Sequence, residues 1–219
     1  MARRRREPET ATITAVTHDG RGIAATGGKK TFVAGALTGE TVQFIRRKSR
    51  RNFDEAELLD VIEASPDRID ARCEAFGRCG GCSLQHVAPE HQRTIKSGTL
   101  KDNLERIGRV EPEAWLQPMT GPEWHYRRRA RLAVKHVPAK GRTLVGFRER
   151  HAPFITDMHR CEVLAKPVDD MIDDLSELVG QLSIRARLPQ IEVAVADNDI
   201  ALVFRVLDPP TDADEAALK

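Results

Sequence analysis

The chain has four cysteines, Cys73, Cys79, Cys82 and Cys161, and their spacing restricts its possible folds more than any other feature. Five residues separate Cys73 from Cys79, two separate Cys79 from Cys82, and 78 lie between Cys82 and Cys161. Three close thiols and one distant thiol describe a single four-thiolate site, which forms only if the fold returns Cys161 to the 73–82 loop. Four thiolates suit tetrahedral zinc or an iron-sulfur cluster. Structural zinc usually draws on two close pairs, so a triplet with a singleton favours a 4Fe-4S cluster. Zinc and ordinary buried cysteines stay open as alternatives. Gly80 and Gly81 fit a tight turn around a metal, because glycine accepts positive φ and lets backbone N–H groups approach sulfur. Four ligands would close the site, so a structural role is expected rather than the open-iron chemistry of CxxxCxxC radical enzymes.

The compartment agrees with metal binding. The start, MARRRREPE, is basic, but no apolar stretch follows it as in a secretory signal, and no apolar run approaches membrane-spanning length. A cytoplasmic protein with reduced thiols is therefore expected, with no membrane partner. The formal charge of +2 hides an asymmetry. Residues 1–150 carry 29 basic and 19 acidic groups, whereas residues 151–219 carry 6 and 14. A basic front suggests a polyanionic partner, and nucleic acid is the expected one.

A fold of the α+β class is expected. Residues 1–9 read as a basic disordered tail, and residues 10–65 as five short strands broken by Asp19-Gly20, Gly22 and Gly27-Gly28, a small OB-like barrel. Residues 65–72 read as a linker, and an α+β central domain spans 66–207. Within it, a helix should begin near Pro89, carry Leu100, Leu104 and Ile107 at helical spacing, and end at Gly108. Two hairpins are expected, one over 126–150 and one over 189–207. Between them residues 166–182 should form an amphipathic helix whose Asp169, Asp170, Asp173 and Asp174 face water. Residues 208–219 open a capped helix that the chain does not complete, so further sequence is expected after it.

Period two in the 126–136 strand puts Arg127, Arg129, Arg131 and Lys135 on one face, which could follow a phosphate backbone. In the barrel, Lys29, Lys30, Arg46, Arg47 and Lys48, followed by Arg50 and Arg51, fall at loops and strand ends where OB-like barrels contact oligonucleotides. Phe32, Phe44 and Phe53 are the available stacking groups, but core positions are expected for all three. His86, His91, His125, His151 and His159 carry no HxxxH pattern on a convincing helix and are assigned no chemistry. The glycines at 20, 22, 27 and 28 do not match a phosphate-binding loop.

Several segments together resemble bacterial 23S ribosomal RNA uracil-C5 methyltransferases that carry an N-terminal TRAM barrel. HDGRGIA at 18–24 and FVAGALTGE at 32–40 resemble the TRAM domain. RCEAFGRCGGCSLQH at 72–86 resembles the cluster motif, and YRRRARL, GFRER and HRCEVL resemble the central domain with its fourth ligand. The resemblance implies that Cys73, Cys79, Cys82 and Cys161 bind 4Fe-4S and that 23S rRNA is the partner of a monomeric protein. It also implies a following Rossmann-like domain, absent from this chain, that binds S-adenosylmethionine and supplies the cysteine nucleophile and carboxylate base. The chain would then be the RNA-binding N-terminal part of a methyltransferase, inactive alone. The alternative is a stand-alone, non-enzymatic iron-sulfur RNA-binding module; an electron-transfer role gains little, since a ferredoxin needs no such barrel.

Overall fold

The computed structural model describes residues 7–218, so the Arg3–Arg6 run lies outside the described residues. Five strands come first: β1 (Glu9–Val16), β2 (Arg21–Thr26), β3 (Lys29–Ala34), β4 (Thr41–Ser49) and β5 (Phe53–Glu63). They close into a barrel in the order β1-β2-β3-β5-β4, with β3 and β5 parallel and the other pairings antiparallel. Gly27 and Gly28 both have positive φ, 59° and 79°, as the two-residue turn between β2 and β3 requires for strands of right-handed twist. The long β4–β5 pair shifts register three times, and such bulges bend strands enough to close a small barrel. Inside lie Ile13, Ala24, Val33, Val42, Phe44 and Ala56.

Of the three phenylalanines, only Phe44 is in the core. Phe32 alternates with the buried Thr31 and Val33, so strand periodicity turns it outward. It packs edge-on against Phe53 at 5.4 Å, and the Arg21 guanidinium lies 4.8 Å from its ring centre.

The chain divides into two compact units, and the cut differs from the sequence division. The barrel unit runs to Ala71 and resumes over Ser83–Met119; the other contains Arg72–Cys82 and continues from Thr120. Residues 65–71 join the barrel because Arg68 reaches the fully buried Glu40 through two guanidinium nitrogens and donates to the Gly35 carbonyl at 2.7 Å. Glu40 also accepts from the Leu37 amide at 2.8 Å and the Ser65 amide at 3.3 Å.

In the same unit, helix α1 (Pro89–Asp102) has proline in its first turn and passes into a wider π-type turn over Asn103–Gly108. The expected glycine stop is shifted by one residue: Arg109 takes the left-handed conformation, φ 53°, after Gly108. Neither helical piece buries a residue. Ile107 is 79% exposed, and Leu116 and Met119 beyond it are 89% and 99% exposed.

In the second unit the two hairpins merge. Strands β6 (Arg129–Val137), β7 (Arg142–Gly146), β8 (Gln190–Val195) and β9 (Ile200–Arg205) form one antiparallel sheet in the order β7-β6-β8-β9. Its covered face presents Leu132, Val134, Val145, Ile191 and Val193 to a core shared with Ile172, Leu175 and Val179 of α2 (Ile172–Gln181). The helix begins later than expected, and the preceding turn buries Asp169 completely instead of facing it to water. A final helix, α3 (Asp212–Ala217), carries a capping box of Thr211 and Asp214, and the Asp214 carboxylate also accepts from the Ser183 amide and hydroxyl. No helix among the described residues is long and apolar enough to cross a membrane.

Burial works to raise the Glu40 carboxyl, but its bonds from Arg68, Leu37 and Ser65 outweigh that and hold it below the usual value of 4.5. A lowered folded value means that the stabilisation is complete above that range and is lost as pH falls through it. Glu40→Gln should cost about 2–3 kcal/mol near neutrality, the scale of a charged hydrogen bond. In denaturant titrations, the gap between wild type and variant should shrink as pH drops below about 4.5.

Candidate metal centre and cationic surfaces

The cysteine loop is short, lacks strands or helices and owes its shape to turns and main-chain bridges. The Phe76 amide donates to the Cys73 carbonyl and the Cys79 amide to the Ala75 carbonyl, both at 2.9 Å. The loop then pairs with a distant segment: Gly80 N–H donates to the Arg148 carbonyl, and Arg150 N–H to the Arg78 carbonyl, both at 2.9 Å. Side chains complete the seam. Arg127 donates to the Gly81 carbonyl at 3.2 Å while lying 5.5 Å from the Phe147 ring centre, and Arg150 donates to the Cys82 carbonyl.

The 78-residue excursion closes onto this loop. Cys79 and Cys161 are buried members of one apolar core, and Cys73 and Cys82 are half-buried against it. None of the four is joined in a disulfide. Amides point at three of them: Ala75 at Cys73, Gly81 at Cys79 at 3.4 Å, and Val163 and Leu164 at Cys161. Backbone N–H donors directed at sulfur are the outer-shell arrangement that stabilises metal-bound thiolates. Burial pushes the Cys161 thiol up to about 11, with Cys82 and Cys73 adding to the rise against the Val163 and Leu164 amides. Burial also raises Cys73, helped by Cys79, Cys82 and Glu162. Without a positive centre these thiols keep their protons, and metal loading would release them.

Among the described residues no three His, Cys, Asp or Glu side chains converge closely enough to hold one metal ion.

The glycines act differently from the sequence expectation. Neither Gly80 nor Gly81 has positive φ; Gly77 does, at 85°. Gly80 is required by proximity, since a Cβ there would lie 2.9 Å from the Arg148 carbonyl oxygen.

Two buried carboxylates near Cys161 escaped the sequence reading. Glu162 pairs with Arg72 and Arg160, each at 2.8 Å, and Arg72 lies 5.2 Å from the Trp124 ring centre. Asp169 accepts the Cys161 amide through its carbonyl at 2.9 Å, and its carboxylate faces His125 Nδ1 at 3.0 Å. The acid between Cys161 and the apolar Val163-Leu164-Ala165 was a signal for Glu162; Asp169 offered none, being one of two adjacent acidic pairs, Asp169-Asp170 and Asp173-Asp174. Two other histidines also sit beside carboxylates: His91 by Asp67 and His159 by Asp173.

The candidate RNA-contacting cations divide into two groups. Arg46 is committed to the barrel, donating to Glu9 at 2.8 and 2.9 Å, to Thr26 at 2.8 Å and to the buried Asp54. Lys29 donates to the Arg50 carbonyl at 3.0 Å and lies 3.8 Å from Asp54. Arg127 braces the cysteine loop. Lys30, Arg47 and Lys48 are exposed, the last two in surface pairs with Glu57 and Glu55 that cost little to break. Arg129, Arg131 and Lys135 project together from the open face of β6. There, Arg129, Arg131, Ala194, Ala201 and Val203 line an open groove of about 600 Å³, with Glu192 between Arg131 and Arg205.

Gly80→Ala should force the seam apart and cost about 1–3 kcal/mol, the usual penalty for overpacking. Comparison of chemical unfolding midpoints for the variant and wild type checks this.

No protein-family model matches the chain. It is similar to the 23S rRNA (uracil(1939)-C(5))-methyltransferase RlmD of Alcanivorax borkumensis, 50% identical over all of this chain and 50% of the relative. The enzyme of the same name from Alkalilimnicola ehrlichii is 50% identical over 98% of this chain and 49% of its own length. That of Methylococcus capsulatus is 47% identical over 97% and 48%. The chain thus spans about half the length of the curated relatives it matches. In fold it is similar to the crystal structure of Pyrococcus abyssi tRNA (uracil-54, C5)-methyltransferase in complex with S-adenosyl-L-homocysteine. The TM-score is 0.66 at 21% identity, covering 95% of this chain and 48% of the other.

Proposed function

We propose that this chain is the substrate-gripping part of an S-adenosylmethionine-dependent 23S rRNA uracil-C5 methyltransferase, with a 4Fe-4S cluster on Cys73, Cys79, Cys82 and Cys161. The observation that carries the reading is half identity, over the full length of the chain, to enzymes named for that reaction. The gathering of all four cysteines at one core supports the cluster. When bound, the cluster would serve as a covalent staple between the 72–82 loop and the segment leading into α2.

The chain's own residues would do the binding. Arg129, Arg131 and Lys135, with Lys30, Arg47 and Lys48 on the barrel, offer charges that can exchange surface partners for phosphates. Arg127 and Arg150 keep the cysteine loop in place through its carbonyls. Methyl transfer to uracil C5 through covalent catalysis needs a free thiolate to add at C6. All four cysteines are assigned to the cluster, so this stretch supplies no nucleophile. In the complete enzyme that thiol and the cofactor site belong to the remaining half. The compartment that fits is the bacterial cytoplasm.

Chain purified without oxygen should be brown and carry about four irons, as a four-thiolate cubane implies. Cys161→Ser should lose most of that iron and lower the unfolding midpoint. One zinc per chain and no iron would rule the cluster out. Incubated with labelled S-adenosylmethionine and unmodified 23S rRNA, the chain should leave uridine C5 unlabelled while a full-length relative labels it. Its affinity for that RNA should fall steeply with salt, and less steeply after joint replacement of Arg129, Arg131 and Lys135 by alanine.

A further inference from the structure

The segment 148–155 carries an aromatic side chain that no part of the preceding reading uses. Phe154 is 67% exposed although its backbone is fixed. Glu149 N–H donates to the Phe154 carbonyl at 2.9 Å, Arg148 pairs with Ile155 across the turn, and Ile155 is buried. Arg148 spans the turn by donating to the Pro153 carbonyl at 2.9 Å. The base of the turn is bonded to the cysteine loop through Gly80 and Arg78.

A single exposed aromatic residue is ordinary on a protein surface. The setting of this one is not neutral. Arg148 and His151 are exposed on the turn, and Arg78, 57% exposed, is anchored beside it by its bond to the Asp157 carbonyl at 3.1 Å. The acids nearby are Glu149, 3.9 Å from Arg78, and Asp157, already engaged by Lys140 and Arg142. With Asp157 so engaged, Arg78 and Arg148 outnumber Glu149 on and beside the turn. An apolar face among anchored guanidinium groups complements a flat base attached to phosphates, and a fixed turn loses little entropy on binding. A purely apolar protein partner would leave those guanidinium groups unpaired.

We propose that Phe154 is a stacking platform for an unpaired RNA base, with Arg78 and Arg148 receiving the flanking phosphates. The proposal rests on the reading that this chain binds RNA and adds a preference for single strands over duplexes, whose bases are already stacked.

The test measures anisotropy of a labelled oligouridine dodecamer and a labelled RNA duplex of equal length, titrated with the full chain purified without oxygen. Phe154→Ala should weaken oligouridine binding about 5- to 100-fold and leave duplex binding unchanged. Phe154→Trp should restore it. Phe154→Leu, which keeps the apolar bulk without a π face, should bind as poorly as the alanine variant while melting like wild type. Unchanged oligouridine affinity in the alanine and leucine variants would overturn the stacking role even with wild type binding RNA. Equal losses for strand and duplex would overturn it too. Loss of self-association in ultracentrifugation with RNA affinity intact would make Phe154 a protein contact instead. If wild type binds neither probe, the RNA-binding reading fails, and the proposal with it.

Discussion

The second unit depends on the seam between residues 78–80 and 148–150. Two main-chain bonds, Gly80 to Arg148 and Arg150 to Arg78, fix a loop with no regular structure of its own. Without that seam, three cysteines would sit on a flexible excursion, and Cys161 would have no defined partners. The seam also requires a residue without a side chain at position 80. A backbone constraint thus comes before any metal chemistry. Amides from the loop and from the 163–164 turn aim at the sulfurs, so the proposed centre would enter a site whose N–H donors already face Cys79 and Cys161.

Buried carboxylates paired with cations recur in both units. Glu40 holds Arg68, Asp54 holds Arg46, and Glu162 holds Arg72 and Arg160. Such pairs contribute little net energy when intact, because desolvation offsets attraction, but losing one partner strands a buried charge. They therefore act more as locks on geometry than as sources of stability. In the barrel unit, the Glu40 lock binds the 65–71 segment to the strands before it.

The same economy of charge separates cations that build the fold from cations open to a partner. Arg46 and Arg127 look alike in sequence to Arg47 and Arg129. Yet Arg46 is held by several internal acceptors and Arg127 by the Gly81 carbonyl and the Phe147 ring, whereas Arg47 and Arg129 project into solvent. A phosphate backbone can compete for a solvent-screened pair far more easily than for a bidentate, half-buried one. In the proposed reading, the RNA-facing charge is therefore smaller than the sequence total and lies on strand faces and turns.

Local patterns were enough to read most elements. Strand alternation and paired glycines marked the five barrel strands, Pro89 marked a helix start, and Thr211 marked a cap, because each signal acts within a few residues. Cysteine spacing alone raised the possibility of one four-thiol site. Placement across distance was decided only by the tertiary structure. Phe32 and Phe53 lie outside the barrel, since strand phase, set by closure, outweighs hydrophobicity at a single position. Asp169 is buried because the chain before α2 turns back to meet the Cys161 amide, whereas Asp173 and Asp174 stand on the helix itself. Gly80 serves proximity instead of positive φ because the strand segment approaching it comes from 68 residues further along the chain. Periodicity records which face a residue takes along its own element, but the partner of that face is set by long-range packing.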